Sequence, residues 1–226
     1  MAQEVSGADR ALNGDPANSV QIWSILTRLG EAQVLLPVAA ITSIALFLRV
    51  HTRALAWKWV LLIGVAAAIT TVTKLAFIGW GLGWAAINFT GVSGHTMFAT
   101  AIFPILALTL DRAGSPRSQR IAFGLGAAIA LVVGISRIEV GAHSPSEVIA
   151  GWLLGGAVSA ITLSISERKD VFVHPLLSLL FIAWIASTPS QLQASNTHSL
   201  VTRLALAVSG HDKPFQRHDL MGTASH

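Results

Sequence analysis

The sequence contains no cysteine. A disulfide framework, a thiolate metal site and a thiol nucleophile are therefore excluded, and cysteine usage says nothing about redox compartment. Charge is scarce as well. Asp, Glu, Lys and Arg make up 12% of the 226 residues, about half of the ~25% usual in a soluble globular domain. With 53% hydrophobic residues and a mean hydropathy of +0.63, too little polar sequence remains to cover the core of a soluble α-protein. Disorder, collagen and a soluble nucleic-acid-binding module are excluded on the same grounds. The basic excess, 15 Lys and Arg against 11 Asp and Glu, is scattered along the chain. It fits positive loops on one side of a membrane, with the lipid bilayer as partner and no nucleic acid.

Residues 1–18 are polar, acid-containing and turn-rich, without the basic and apolar regions of a signal peptide. Residues 1–33 are expected to form a polar tail in which Val20, Trp23, Leu26 and Thr27 share one face of a helix, either interfacial or the ordered lead into the first span. Apolar segments at 34–50, 57–78, 96–110, 121–135, 147–165 and 171–187 predict an all-α polytopic membrane bundle of about six transmembrane helices over residues 34–187. Several segments fall short of the ~20 residues that cross a bilayer core, so their helices should extend into the flanking polar residues. Residues Ile78 to Gly91, with Gly79, Gly81, Gly83, Trp80 and Trp84, are expected to form an interfacial loop or re-entrant turn. Residues 188–226 read as a partly flexible C-terminal tail, with His198, His211, His218 and His226 solvated.

Loop charges orient the bundle. Arg49, Arg53 and Lys58 precede the second span, Arg112, Arg117 and Arg120 precede the fourth, and Arg168 and Lys169 precede the sixth. The intervening connections hold only Lys74 and Arg137. Positive-inside logic places the first set in the cytoplasm. Both termini, and the loops around Lys74–His95 and Arg137–Glu147, then face the outer side, which in a bacterial inner membrane is the periplasm. Arg203, Lys213 and Arg217 in the tail run against this assignment.

Three polar clusters interrupt the apolar sequence on that outer side: Lys74, then Ser93-Gly94-His95, then Ser136-Arg137 with His143 and Glu147. Ionisable groups near membrane depth are costly and default to functional candidates. Each also has a plain structural reading. Lys74 can snorkel from a helix end, Ser93 can be an N-cap, and Ser144-Pro145-Ser146-Glu147 reads as an N-cap, a first-position proline and a capping-box Glu. Arg137 and Glu139 can be loop charges. Together, however, two cations, two hydroxyls, two histidines and a carboxylate lie at one end of the helices. Gly94 bares backbone N–H groups at a helix start, where the dipole also favours an anion. That inventory suits a phosphate, held bidentately by Arg137 and by Lys74 as a point charge.

The strings Ser93-Gly94-His95 and Ser136-Arg137-x5-His143-x3-Glu147 resemble the second and third motifs of the type 2 phosphatidic acid phosphatase (PAP2) superfamily, PSGH and SRxxxxxHxxxD. Lys74 stands where the lysine of the first motif, KxxxxxxRP, would fall. The resemblance covers about residues 57–165. It departs from the pattern at three places: Gly81-Leu82 replaces the first motif's Arg-Pro, Val92 replaces the proline before SGH, and Glu147 replaces the aspartate. The resemblance implies a PAP2-like core and a phosphatase with His143 as nucleophile. Triad logic supports this, since an imidazole whose other nitrogen donates to a carboxylate can attack phosphorus. His95 is then the general acid, and Lys74, Arg137, Ser93, Ser136 and the Gly94 N–H stabilise the equatorial oxygens.

No cofactor and no metal are expected. His143-x3-Glu147 is a possible ligand pair, but zinc wants a third close ligand, His95 is the only candidate, and the Lys74 and Arg137 charges oppose a cation. The expected activity is hydrolysis of a membrane phospholipid or isoprenyl (di)phosphate. Candidate substrates are phosphatidic acid, phosphatidylglycerol phosphate, an isoprenyl diphosphate carrier and phosphorylated lipid A. Two other readings stay open: a phosphotransferase using the same phosphohistidine, and a catalytically impaired phosphate-binding relative.

Overall fold

The computed structural model describes residues 16–164 and 194–222, and among these all regular structure is helical. The helices are α1 (Pro16–Arg28), α2 (Ala32–Phe47), α3 (Arg53–Trp80), α4 (Gly94–Leu110), α5 (Pro116–Glu139), α6 (Pro145–Ser164), α7 (Ala194–Ser209) and α8 (Arg217–Gly222). Short 3-10 turns lie at Val50–Thr52 and Ala85–Ile87. Helices α2 to α6 correspond to the first five expected spans. The sixth, 171–187, and the basic pair Arg168 and Lys169 lie outside the described residues.

Helix α4 occupies the centre, packed against α2, α3, α5 and α6. Its Met97, Ala99, Ala101 and Ile102 are fully buried. Small residues on the neighbours let backbones meet closely, as in other membrane bundles. A Cβ on Gly155 of α6 would strike the Met97 carbonyl, and one on Gly126 of α5 would strike that of Phe103. Two side chains from neighbouring helices reach the α4 carbonyls. Trp59 Nε1 donates to Ala101 (2.9 Å) and Ser159 Oγ to Thr100 (2.7 Å).

The outer helices carry the complementary pattern. Leu61, Val65, Ile69 and Val72 form an exposed stripe along α3, with Leu125, Ile129 and Val132 on α5 and Ile149 and Leu153 on α6. These spacings of three and four put each apolar set on one helix face, where a bilayer replaces water. The segments Gln21–Phe47, Val50–Trp80, Pro116–Glu139 and Pro145–Ser164 are each long and apolar enough to cross a membrane, while α4, at 17 residues, is shorter.

The helices do extend into the polar motifs: α4 begins at Gly94, α5 runs through Arg137, and α6 begins at Pro145. One expectation needs correction. The Ile78–Gly91 stretch is not all loop, because α3 continues to Trp80. It stops where Gly81 enters the left-handed region (φ 69°) and its N–H bonds the Phe77 carbonyl at 2.8 Å, a conformation glycine takes without strain. Of the tail histidines, His211 is exposed as expected but is also anchored. His211 Nδ1 donates to the Gly79 carbonyl (2.7 Å), because α7 packs along α3 and returns the chain to the end of that helix. His218 is exposed, beside Asp219.

Candidate active site

The alternating direction of α3 to α6 brings the end of α3, the start of α4, the end of α5 and the start of α6 to one end of the bundle. Lys74 lies in the last turns of α3. The chain leaving the α3–α4 loop folds against it: a Cβ on Gly91 would lie 3.1 Å from Lys74 Cγ, and one on Gly94 would lie 3.8 Å from Nζ. The lysine ammonium therefore sits beside the first turn of α4, whose N–H groups have no intrahelical partner. His95 follows in that turn, and Lys74, Arg137 and His143 are all within electrostatic reach of it.

The α5–α6 connection wraps the end of α5. The N–H groups of Ala142 and His143 both donate to the Arg137 carbonyl at 3.1 Å, and Gly141 turns with φ 68°. His143 is thereby set one residue before Ser144, which caps α6. Its Nδ1 lies 2.7 Å from Glu147 Oε2, which leaves Nε2 as the nitrogen free for other chemistry. Burial pushes the imidazole below its ordinary pKa of 6.5, opposed in part by the Glu147 hydrogen bond.

Glu147 is fully buried and does two things at once. The capping box is formed, with Ser144 N–H donating to Oε2 (3.1 Å) and Glu147 N–H to Ser144 Oγ (3.4 Å). The same carboxylate orients His143, so the cap and the orienting partner are one group. It also accepts from Thr90 N–H (2.8 Å) and Thr90 Oγ1 (2.5 Å), and from Arg217, whose Nη2 lies 3.0 Å from Oε1 and 2.9 Å from Oε2.

Arg137 points its Nη1 at Thr27 Oγ1 (3.1 Å), while its buried Nε has no hydrogen-bond partner. A buried guanidinium N–H with no acceptor in the protein is a donor suited to an oxyanion. The two motif serines are arranged differently from expectation. Ser136 Oγ donates to the Val133 carbonyl (2.6 Å) and lies 3.0 Å from Thr27 Oγ1, so it sits under Arg137 within the α1–α5 contact. Ser93 occupies the N-cap position of α4 but makes no side-chain cap; its Oγ pairs with Thr96 Oγ1 (2.9 Å).

Sequence reasoning missed Thr27, Thr90 and Arg217. Thr90 and Arg217 are 57 and 70 residues from Glu147, and Thr27 is 110 from Arg137. No local spacing signals such partners; only the fold joins them.

These features define a class: a polytopic membrane helix bundle with a histidine paired to a buried glutamate and two cations gathered where four helices end. The PAP2 superfamily model matches residues 79–170. The chain is 42% identical over 202 residues to an uncharacterized 22.5 kDa protein in the cps region of Klebsiella pneumoniae, covering 88% of this chain and 97% of that one. It is 26% identical over 182 residues to phosphatidylglycerophosphatase B of Bacillus subtilis, covering 74% of this chain and 88% of the relative. Its fold is similar to the crystal structure of a transmembrane PAP2-type phosphatidylglycerolphosphate phosphatase from Bacillus subtilis, with a TM-score of 0.55 and 23% identity over 76% of this chain and 91% of that one. The chain belongs to the PAP2 superfamily.

Proposed function

We propose that the protein is an integral membrane phosphatase that hydrolyses a lipid phosphate or diphosphate through a phosphohistidine, without a metal. The observation that carries this reading is the 2.7 Å contact between His143 Nδ1 and the buried Glu147 carboxylate, which leaves the Nε2 lone pair for phosphorus. Membership of the superfamily and the Bacillus relative, a phosphatidylglycerophosphatase by name, support the reaction class.

His143 Nε2 attacks phosphorus as the bond to the leaving oxygen breaks, and His95 protonates that oxygen. Glu147 balances the positive charge that develops on the imidazole. Lys74, the open edge of Arg137 and the first N–H groups of α4, including Gly94, take the equatorial oxygens. Ser93 stiffens that first turn through Thr96, and Ser136 acts through Thr27, which fixes the Arg137 guanidinium. Water then attacks the phosphohistidine, with His95 as base. A metal has no natural place here. The His143–Glu147 pair is already engaged with itself and with five further donor contacts to the carboxylate from Thr90, Ser144 and Arg217, and two cations face the phosphate position. With the arginine-rich loops cytoplasmic, the site opens to the outer face of the membrane, the periplasm for a bacterial inner membrane. There a headgroup enters while its tails stay in lipid.

The test is phosphate release by the purified, detergent-solubilised protein from phosphatidic acid, phosphatidylglycerol phosphate, an isoprenyl diphosphate and phosphorylated lipid A, with and without EDTA. At least one substrate should be hydrolysed, unaffected by EDTA and inhibited competitively by orthovanadate. His143→Ala should abolish turnover without loss of helix content. Turnover by His143→Ala above a few per cent of wild type removes His143 as nucleophile, and zinc-restored activity after EDTA overturns metal independence.

A further inference from the structure

We propose that Arg217, near the C-terminus, is a positioning residue of the reaction: its guanidinium clamps the Glu147 carboxylate in place against His143. The proposal rests on the hydrolytic reading above.

The clamp is built from two sides. Nη2 of Arg217 contacts both Glu147 oxygens, at 3.0 and 2.9 Å. Nη1 donates to the Asn88 carbonyl (3.2 Å) and to Asn88 Oδ1 (2.8 Å). Asn88 offers both oxygens because it lies in the left-handed region (φ 51°) at the end of the 3-10 turn, a conformation that asparagine tolerates better than most residues. The planar guanidinium thus spans from the α3–α4 loop to the first turn of α6.

The segment that delivers it is anchored as well. His211 and the Phe215 N–H bond the last carbonyls of α3, those of Gly79 and Ile78, at 2.7 and 2.9 Å. Gln216 N–H donates to Asp219 Oδ2 (2.7 Å), closing the turn around Arg217. The Phe215 ring covers Gly81, where an added Cβ would lie 3.0 Å from the ring. Gly81-Leu82 stand where the first motif carries Arg-Pro. In this chain that position has no arginine, a side chain there would be strained at φ 69° and would crowd the Phe215 ring, and the C-terminal segment that covers it carries an arginine two residues further on. That arginine meets the carboxylate, whose arm is one methylene longer than the family's aspartate. A longer arm has one more torsion to fix, and Arg217 with Thr90 fixes it by holding Oε1, so that Oε2 stays on His143.

A residue acting through Glu147 differs kinetically from a phosphate ligand. The experiment measures kcat and KM on phosphatidylglycerol phosphate in mixed micelles, with vanadate inhibition and thermal unfolding. The proteins compared are wild type, Arg217→Ala, Arg217→Lys, Glu147→Gln and the Arg217→Ala/Glu147→Gln double variant. Arg217→Ala should lower kcat about 10- to 100-fold through the misplaced pair, with KM and vanadate inhibition within about threefold of wild type, as expected when uniform binding is untouched. Arg217→Lys should recover only part, because a point charge cannot span Asn88 and the carboxylate. The double variant should be no slower than Glu147→Gln alone, because both changes break one interaction. Arg217→Gln replaces the alanine variant if that one does not fold. The proposal is overturned by a normal kcat, by additive losses in the double variant, or by a loss confined to KM and vanadate, which would make Arg217 a phosphate ligand. Equal phosphate release by wild type and His143→Ala would instead sink the hydrolytic reading itself. An active wild type, an inactive His143→Ala and a normal Arg217→Ala sink only the role of Arg217.

Discussion

Replacing Glu147 by glutamine separates shape from charge at the most heavily used side chain of the site. The carboxylate accepts six contacts: His143 Nδ1, Ser144 N–H and Arg217 on Oε2, and Thr90 N–H, Thr90 Oγ1 and Arg217 on Oε1. An amide offers one oxygen. If that oxygen takes the Oε2 side, it keeps the helix cap and the His143 bond, and its NH₂ then meets the Thr90 N–H and Arg217. The Thr90 hydroxyl can rotate and accept, but the Thr90 N–H cannot. Arg217, 36% exposed, can turn toward water. One backbone donor is left without its acceptor, and such a loss costs about 1–3 kcal/mol. A measurable fall in thermal stability is therefore expected of this substitution.

The kinetic loss should be larger. An amide at Oε2 still orients the imidazole but cannot balance the charge that would develop in the proposed attack of Nε2 on phosphorus. A fall in turnover of order 10²–10⁴-fold is expected, as for general-base and triad carboxylates. Phosphate release under substrate saturation reads the first quantity. Thermal unfolding in detergent, followed by the fluorescence of the seven tryptophans, reads the second. A Gln variant that melts early yet turns over at more than a tenth of the wild-type rate would refute the reasoning, since Glu147 would then be a cap and nothing more.

Shortening the same arm, Glu147→Asp, keeps the charge but draws it away from Thr90 and Arg217. Since a displacement of about 1 Å can cost ~10²-fold, turnover should fall rather than rise, and an Asp variant as fast as wild type would show that the longer arm is incidental. Arg137→Lys should lower kcat/KM by about 10²-fold, the scale of one lost oxyanion donor, because lysine has no second edge to offer beside the one facing Thr27. A near-normal rate would make Arg137 structural. Burial holds the His143 pKa below 6.5, and in the proposed mechanism the neutral imidazole is the nucleophile. Activity should therefore persist below pH 6.5 and disappear as pH falls through the lowered value. Removing the negative charge in Glu147→Gln should move that acid limb to still lower pH, and a limb that moves upward would contradict the assignment.

Most of the architecture was legible because membrane insertion writes itself into composition. Helices α2 to α6 follow the expected apolar segments, and the charged ends follow the loops. Boundaries were less legible where glycine and tryptophan cluster. Gly79 stays helical because α7 packs on it, with Ser209 Cβ 3.2 Å from where its Cβ would be, and that neighbour lies far away in sequence. Of the site, Lys74, His95, Arg137, His143 and Glu147 were legible because each sits at a helix end within a fixed local spacing. Ser93 and Ser136 were legible as residues but not as roles, since a hydroxyl's partner depends on which helix faces it. The Thr27 hydroxyl that fixes Ser136 and Arg137 comes from α1, a helix whose sequence suggested a membrane surface or the lead into the first span, and no site residue.

Glu147 shows why the departures from the family pattern had to be judged together. Taken singly, a lost Arg-Pro and a lengthened carboxylate each suggest a weakened site. In the fold they are neighbours: Gly81 ends α3 and leaves a surface for Phe215, Phe215 brings Arg217, and Arg217 meets the Glu147 oxygens. A buried carboxylate that caps a helix and orients a histidine needs both oxygens satisfied, because an unpaired one in a water-poor site is expensive. Thr90 and Arg217 meet that requirement on the side that His143 and Ser144 do not reach. Restoring only one half of the pattern, by Gly81→Arg or Glu147→Asp alone, should therefore damage the site, because each residue is now fitted to the other's surroundings.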